Sequence, residues 1–403
     1  MNIKKVSFTN KDEEKLAGRL ELPLDRKPHN FVIFAHCFTC TKNLTAVKNI
    51  SRALTASGFA VLRFDFTGLG ESEGDFENTN FSGNVDDLIE AALFLKNNFE
   101  APTLIIGHSL GGAAAIFAAK KIASIKAVAV INAPSHPSHV AHLLKDSKQE
   151  IAKNGKAKVN LGGIDFTIKK QFLDDLENKS LLKIVGSFKK ALLILHSPQD
   201  TTVGIKNAEE IYLAAHHPKS FVSLDGADHL LGNKEDSHYV GQVIAGWASR
   251  YLEIPPEEKL KSKSKVAASL GTESKFTTHL KLGDHYYMAD EPTSFGGNNY
   301  GPSPYELLSA GLAACTVMTI QMYARRKNWP VERVTCHVDY SKDHAVDCEH
   351  CEEDTARIDT FTRAIKLSGS LSESQKTRLL QIADKCPVHR TFHSQTQIIT
   401  KLI

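Results

Sequence analysis

TLIIGHSLGGAAAIFAAK, residues 103–120, decides the fold of the first half of this chain. An apolar β-type run ends at Gly107, Ser109 follows between glycines, and an alanine-rich stretch without a breaker reads as a helix. A G-x-S-x-G pentapeptide alone is a weak signal. Its placement between strand and helix is what the chemistry requires, because flanking glycines permit a strained turn that lifts the serine hydroxyl clear of a sheet. The helix beginning there aims backbone N–H groups at a developing anion.

Working outward, β-type runs alternate with helix-like stretches, the pattern of a mostly parallel sheet covered by helices. Strands are expected at Ile3–Phe8, Lys15–Leu22, Phe31–Ala35, Ala60–Phe66, Thr103–Gly107, Val128–Asn132, Ala191–His196 and Phe221–Leu224. FVIFA, TLIIG, AVAVI and ALLIL are continuous apolar runs, as strands buried on both faces should be. The first two alternate more and predict an antiparallel edge. A serine hydroxyl needs a histidine to take its proton, and that histidine needs a carboxylate to hold its tautomer. Asp200 follows ALLILHSPQD and His229 follows FVSLDGADH, both just beyond strand C-termini and in the order Ser, Asp, His. Alone, an aspartate after Pro-Gln is ordinarily a turn residue, and a single histidine is ordinarily satisfied surface or core. Order and placement together select Ser109, Asp200 and His229 over His36, His108 and Asp225; Asp228 is read as shaping the turn.

FAHCFTC (34–40), RFDFTGLGESEG (63–74), GHSLGG (107–112), HSPQDTTV (196–203) and GADH (226–229) together resemble the α/β-hydrolase superfamily, in its dienelactone-hydrolase or acyl-esterase branch. The resemblance covers about residues 1–250 and implies an eight-stranded, mostly parallel sheet. It also implies an oxyanion hole from the backbone amides of Leu110 and Phe38. Relatives usually carry His-Gly at the first turn, where this chain has His36-Cys37. Cys37 and Cys40 bracket that loop as C-x-x-C and are expected to be reduced packing thiols; their oxidation would distort the oxyanion hole.

Between Pro134 and Lys190 the rhythm breaks. Ser135–Lys153 predicts an amphipathic helix, and KAKVNLGGIDFTIKK (156–170) predicts a hairpin about Gly162–Gly163. Such an insertion is either a small lid over the site or surface decoration. IPPEEKLKSKSK (254–265) is a solvated linker, giving a first domain over 1–253 and a second over 266–403. In the second, strands are expected near Lys265–Leu270, Ser274–Leu282, His285–Ala289, Val331–Tyr340, Ile358–Leu367 and Gln395–Ile403. Helices are expected at Pro304–Lys327 and Glu373–Lys385, giving an α+β domain.

Cys315 lies in the first of these helices and Cys386 ends the second, before a proline. Taken singly, the first is a good small core residue and the second a helix-terminal thiol. Their contexts, GPSPYELLSAGLAAC (301–315) and CPVHRTF (386–392), resemble the OsmC family, which includes organic hydroperoxide reductases. The resemblance spans about residues 265–403. It implies that Cys315 attacks a peroxide as thiolate and that Cys386 resolves the sulfenic acid to a disulfide. It further implies an intertwined homodimer and a thiol reductant. The family supplies an arginine from an early strand and a carboxylate ten positions before the first cysteine. Here no arginine lies between Arg250 and Arg325, Tyr305 holds the tenth position, and Glu306 beside it is the candidate thiol-activating group.

Composition excludes several classes. In 403 residues the net charge is +3, with acids and bases interleaved and no basic run carrying aromatics, so nucleic acid is not an expected partner. No window is expected to approach the ~18 apolar residues of a membrane span. The N-terminus lacks an apolar signal region, and seven scattered cysteines do not form a secreted disulfide framework, so a reducing cytoplasm is expected. Asp347-Cys348-Glu349-His350-Cys351, with His344, could offer metal ligands, but no second C-x-x-C follows, so a polar loop open to a disulfide is expected, with no metal and no cofactor. The expected function is a serine hydrolase of carboxylic esters or thioesters, fused to a thiol-dependent reductase of organic hydroperoxides. The alternative keeps the esterase and makes the second domain a non-catalytic redox-sensing or dimerising module.

Overall fold

The computed structural model describes all residues except 1, 25, 140–146, 162–163, 178, 256–258, 273–274, 345–356 and 403. It divides into two compact units, Met1–Glu258 and Lys259–Ile403.

In chain order the first unit contains strands β1 (Asn2–Thr9), β2 (Lys15–Leu22) and β3 (Asn30–Ala35), helix α1 (Thr45–Ala56), and strand β4 (Phe59–Phe64). Then come α2 (Phe81–Asn98), β5 (Leu104–His108), α3 (Leu110–Lys121), β6 (Ala127–Ile131), α4 (Lys148–Asn154), β7 (Lys156–Leu161) and β8 (Ile164–Lys169). It closes with α5 (Lys170–Glu177), α6 (Leu181–Val185), β9 (Ala191–His196), α7 (Lys206–Ala214), β10 (Lys219–Ser223) and α8 (Lys234–Ala248). Eight strands form one sheet in the order β1-β2-β4-β3-β5-β6-β9-β10. β1, β2 and β4 pair antiparallel, and every pair from β4 to β10 is parallel.

The apolar runs follow from burial on both faces. In β3, Phe31, Ile33 and Ala35 enter the core under α2 and α3, while Val32 and Phe34 enter the core under α1 and α8. Each strand therefore needs apolar side chains at odd and even positions alike. A right-handed parallel sheet of this kind places its functional loops at the strand C-termini.

The insertion differs in part from expectation. Residues 140–146, in the middle of the expected Ser135–Lys153 helix, lie outside the described residues, and the described helix is only α4. Ahead of it, residues 137–139 make a 3-10 turn, and the Ser135 amide and hydroxyl are tied to Asn207 and Glu210. The hairpin forms as β7–β8, with Lys156 opposite Lys169; the Gly162–Gly163 turn is outside the described residues. Phe166 of β8 meets Phe76 at 4.8 Å, and Lys169 ion-pairs with Glu77 at 2.9 Å, so the hairpin is anchored to the Phe76–Asn78 turn.

The second unit contains β11 (Val266–Ser269), β12 (Thr278–Leu282), β13 (His285–Ala289), α9 (Pro304–Arg326), β14 (Arg333–His344), β15 (Arg357–Ser368), α10 (Glu373–Ala383) and α11 (Pro387–Phe392). β11–β12–β13 form an antiparallel sheet, and β14–β15 form a separate twelve-residue ladder. The core is small: Ile320 and Ala324 of α9 meet Leu379 and Ala383 of α10, with Val334, Ile365 and Leu367 from the ladder. The helix α9 is long and apolar enough to cross a membrane. This corrects the expectation that no window approaches a membrane span: the few polar side chains of α9 are diluted among Ala, Leu, Cys and Met. Thr316, Ile320 and Ala324 on one face are buried inside the unit. The strand expected near Gln395–Ile403 does not form. Cys386 and Pro387 start α11 instead, and residues 395–402 are irregular and exposed, with no sheet edge beside them among the described residues to take up their amides.

Candidate functional site

The turn at Ser109 is strained. Its φ is 54°, a left-handed backbone that a residue with a Cβ adopts only when its surroundings enforce it. The Ser109 amide donates to the Ile131 carbonyl at 2.8 Å, and Ser109 C=O receives Gly112 N–H at 2.8 Å. The glycines are needed for space. A Cβ on Gly107 would lie 2.3 Å from the Gly111 carbonyl oxygen, and one on Gly111 would lie 2.2 Å from that of His36. The second contact packs the start of α3 against the loop after β3.

His229 closes over the serine from the loop after β10. The Ser109 hydroxyl donates to His229 Nε2 at 3.0 Å, and His229 Nδ1–H donates to Asp200 Oδ2 at 2.6 Å. Asp200 sits in the loop after β9, where its other oxygen receives the amides of Thr202 and Val203 at 2.8 and 2.9 Å. Burial pushes the Asp200 carboxyl up, but the His229 hydrogen bond and these amides outweigh it and hold the group below the usual carboxylate range. Three strand ends thus bring alcohol, imidazole and carboxylate into one hydrogen-bonded row, able to pass a proton from oxygen to nitrogen.

The neighbouring histidines have other work. Buried His108 donates from Nε2 to the His229 carbonyl at 2.7 Å. Burial, with the adjacent His229, pushes its pKa down to about 4. Asn132, with φ 47°, donates to the same His229 carbonyl at 3.0 Å and accepts the Ser197 amide at 3.0 Å. It ties the loops carrying Asp200 and His229 to the end of β6. His36 donates from Nδ1 to the Cys37 carbonyl and accepts the Phe66 amide, bracing the loop after β3. Asp228 receives the amides of Leu230 and Gly232 and shapes the turn, while Asp225 accepts from the Ser223 hydroxyl.

Of the expected oxyanion donors, Leu110 is the first residue of α3, so its amide has no intrahelical acceptor. Phe38 lies in the loop after β3, and its ring packs on Phe76 at 5.5 Å and Phe172 at 5.1 Å. The expectation of reduced thiols in this loop is corrected: Cys37 and Cys40 form a disulfide. The loop turns tightly, with Cys40 N–H donating to Cys37 C=O and Thr39 at φ 64°, which brings the Cα atoms to 5.3 Å, within disulfide reach.

Sequence reasoning missed a buried ion network behind this loop. Lys42, fully buried, pairs with Asp65 and with Glu71 at 2.8 Å, and its amide donates to Asp65 at 2.6 Å. Arg63 pairs with buried Glu21 at 2.6 Å and donates to the Lys42 carbonyl at 2.6 Å. A loop lysine reads as solvated; the acids of RFDFTGLGESEG were the available signal.

In the second unit Cys315 and Cys386 come together, the Cys315 thiol donating to the Cys386 sulfur. Cys315 is partly exposed and Cys386 is buried. Cys386 caps α11, its sulfur receiving the His389 amide at 3.3 Å. Burial pushes the Cys315 thiol up, whereas for Cys386 burial is outweighed by the His389 amide and the Cys315 and Thr316 donors, which bring it down. Glu306 is engaged with the backbone of its own helix. Its carboxylate receives the Ser303 amide at 2.7 Å in a capping box at the start of α9. Cys348, His350 and Cys351 lie outside the described residues.

Residues 26–184 match the family model described as serine aminopeptidase, S33, and residues 296–401 match that of the OsmC-like proteins. Among solved structures, the chain is similar to the esterase domain of a Rhodothermus marinus protein. The two are 51% identical with a TM-score of 0.53, over 62% of this chain and 99% of that one. Ferulic-acid-bound Est1E from Butyrivibrio proteoclasticus is 19% identical with a TM-score of 0.51, over 61% of this chain and 98% of that one. The mouse α/β hydrolase domain-containing protein 10 is also 19% identical, with a TM-score of 0.52, over 61% and 99%. The last two show the fold alone. No curated protein sequence gives a significant match.

Proposed function

Because this chain belongs to the α/β-hydrolase esterases through its first unit and carries an OsmC-like domain in its second, we propose that it joins two chemistries. The first unit hydrolyses carboxylic esters or thioesters by a serine mechanism, and the second reduces organic hydroperoxides with its thiol pair.

In the first unit, Ser109 attacks the acyl carbonyl while its proton passes to His229 Nε2. Asp200 holds the imidazole tautomer and stabilises the imidazolium. The Leu110 and Phe38 amides receive the oxyanion. His229 then protonates the leaving group, and a water activated by the same imidazole releases the acid. The observation that carries this reading is the continuous row Ser109–His229–Asp200, at 3.0 and 2.6 Å, on a strained elbow. It is tested with p-nitrophenyl esters of short acids. The wild-type chain should turn them over, Ser109→Ala should lower kcat by a factor on the order of 10⁴ or more, and unchanged turnover in that variant would reject the assignment.

In the second unit, Cys315 attacks the peroxide and Cys386 closes the disulfide, which an external thiol reductant reopens. Cumene hydroperoxide with a dithiol is the test, and loss of turnover in Cys315→Ser is the expected result. One observation favours a second reading, a redox-sensing or dimerising module without turnover: the Glu306 carboxylate is taken up by the Ser303 amide in the capping box of α9. Under that reading the wild type reduces no peroxide, and Cys315→Ser alters esterase activity or oligomeric state. The small core of this unit and the exposed Met318 and Met322 on α9 support a homodimer through it.

A further inference from the structure

The thiol pair stands beside a cation that neither cysteine motif announces. Arg363 on β15 has a largely buried side chain that reaches α9 and α10. Its Nη1 donates to Thr316 Oγ1 at 2.9 Å and to the Ala383 carbonyl at 3.2 Å, and its Nη2 pairs with Asp384 at 2.6 Å. Thr316, the residue after Cys315, is fully buried, with its hydroxyl 3.9 Å from Cys386 Sγ. A hydroxyl has one proton, and this one has two acceptors in range, the Leu312 carbonyl at 2.8 Å and the Cys386 sulfur. A guanidinium proton held on the threonine oxygen makes the O–H a stronger donor towards an anion. Arg363 also lines a cavity of about 590 Å³ with Leu312, Phe361 and Phe392 beside Asp359 and His389, large enough for an organic substituent.

We propose that Arg363, acting through Thr316, is a positioning residue of the thiol pair: it keeps the resting negative charge on buried Cys386, which serves as the base for Cys315 when Cys315 attacks an organic hydroperoxide. The proposal rests on the hydroperoxide-reductase reading of this unit. Exposure divides the labour, since the peroxide reaches the partly exposed Cys315 and not Cys386. The Cys315 proton passes to the Cys386 thiolate as the Cys315 sulfur bonds the terminal peroxide oxygen and the O–O bond breaks. The peroxide is reduced by two electrons and Cys315 is oxidised by two, to the sulfenic acid. The alkoxide leaves as alcohol with the proton from Cys386, which restores the thiolate. That thiolate attacks the sulfenic sulfur, the S–S bond forms, and the expelled hydroxide takes a solvent proton as water. The charged and titratable groups around Cys386 are Cys315 from α9, Cys336 from β14, Arg363 from β15, Asp384 after α10 and His389 from α11.

The test uses the full chain. Ultraviolet thiolate absorbance is titrated as the difference between each protein and its Cys386→Ser counterpart, and single-turnover reduction of cumene hydroperoxide is followed against pH. Arg363→Met should raise the Cys386 inflection by about one pH unit and slow turnover roughly tenfold at neutral pH, with recovery in alkali. Thr316→Val, which keeps the arginine, should shift it the same way, and Arg363→Lys should restore part of the effect. An unchanged inflection in folded Arg363→Met, or in Arg363→Lys and Thr316→Val together if the methionine variant does not fold, overturns the proposal. The titration reads Arg363 whether or not peroxide is consumed. A wild type that reduces no peroxide yet shows the Arg363-dependent inflection therefore contradicts the reductase reading and not the charge placement.

Discussion

Gly111 has two constraints on its side-chain position, the turn of α3 and the loop after β3. A methyl group there would meet the His36 carbonyl oxygen at 2.2 Å, so the loop bearing Phe38 must move. Gly111→Ala is expected to keep the fold and lower esterase kcat by a factor on the order of 10², the cost of misplacing an oxyanion donor by about an ångström; unaltered kcat would refute the contact's importance. His108 gives a pH signature. Its ordinary value of 6.5 falls to about 4 in the fold, so the unfolded chain binds its proton first as pH drops. Stability from this group is complete above pH 6.5 and is lost as pH falls towards 4, on the order of 3 kcal/mol in all. His36 and His196, both held down by burial, act in the same direction. Denaturant midpoints across that range should show the loss, and His108→Asn should flatten it. The row of Ser109, His229 and Asp200, joined by hydrogen bonds, draws on residues that the sequence places just beyond strand ends. Arg363 and Lys42 were not legible there, because their partners are far away in sequence and become neighbours only when strands and loops pack.

Between elements, the decisive contact chain is aromatic. Phe38 of the loop after β3 touches Phe76, and Phe76 touches Phe166 of β8, so hairpin and oxyanion loop share one ring. Phe76→Ala removes both contacts, each worth about 1 kcal/mol beyond burial, and should raise KM for bulky acyl esters roughly three- to tenfold with little change in kcat. Equal changes in both constants would place the effect in the chemistry instead. The strands of the central sheet were legible to within a residue or two because burial on both faces leaves apolar runs such as AVAVI. The stretch after Cys386 misled for an equally physical reason: its alternating residues carry strand propensity, but propensity without a partner edge leaves them irregular.

At the scale of the molecule, the two units differ in self-sufficiency. The first has an extensive core on each face of its sheet, whereas the second buries a handful of side chains around Ile320 and Leu379. A chain ending at Glu258 should therefore fold alone and retain the wild-type kcat/KM on p-nitrophenyl acetate; a loss beyond about tenfold would mean that the second unit completes the first. IPPEEKLKSKSK, read as a solvated linker for its prolines and alternating lysines, spans the boundary after Glu258.

The proposed ester hydrolysis requires that His229 activate the Ser109 hydroxyl. Treating the full chain with a fluorophosphonate and mapping the adduct by peptide mass spectrometry tests this most directly. The expected result is one label per chain on the peptide bearing Ser109, absent in His229→Ala. Label elsewhere, or on Ser109 at the same rate without His229, would contradict it.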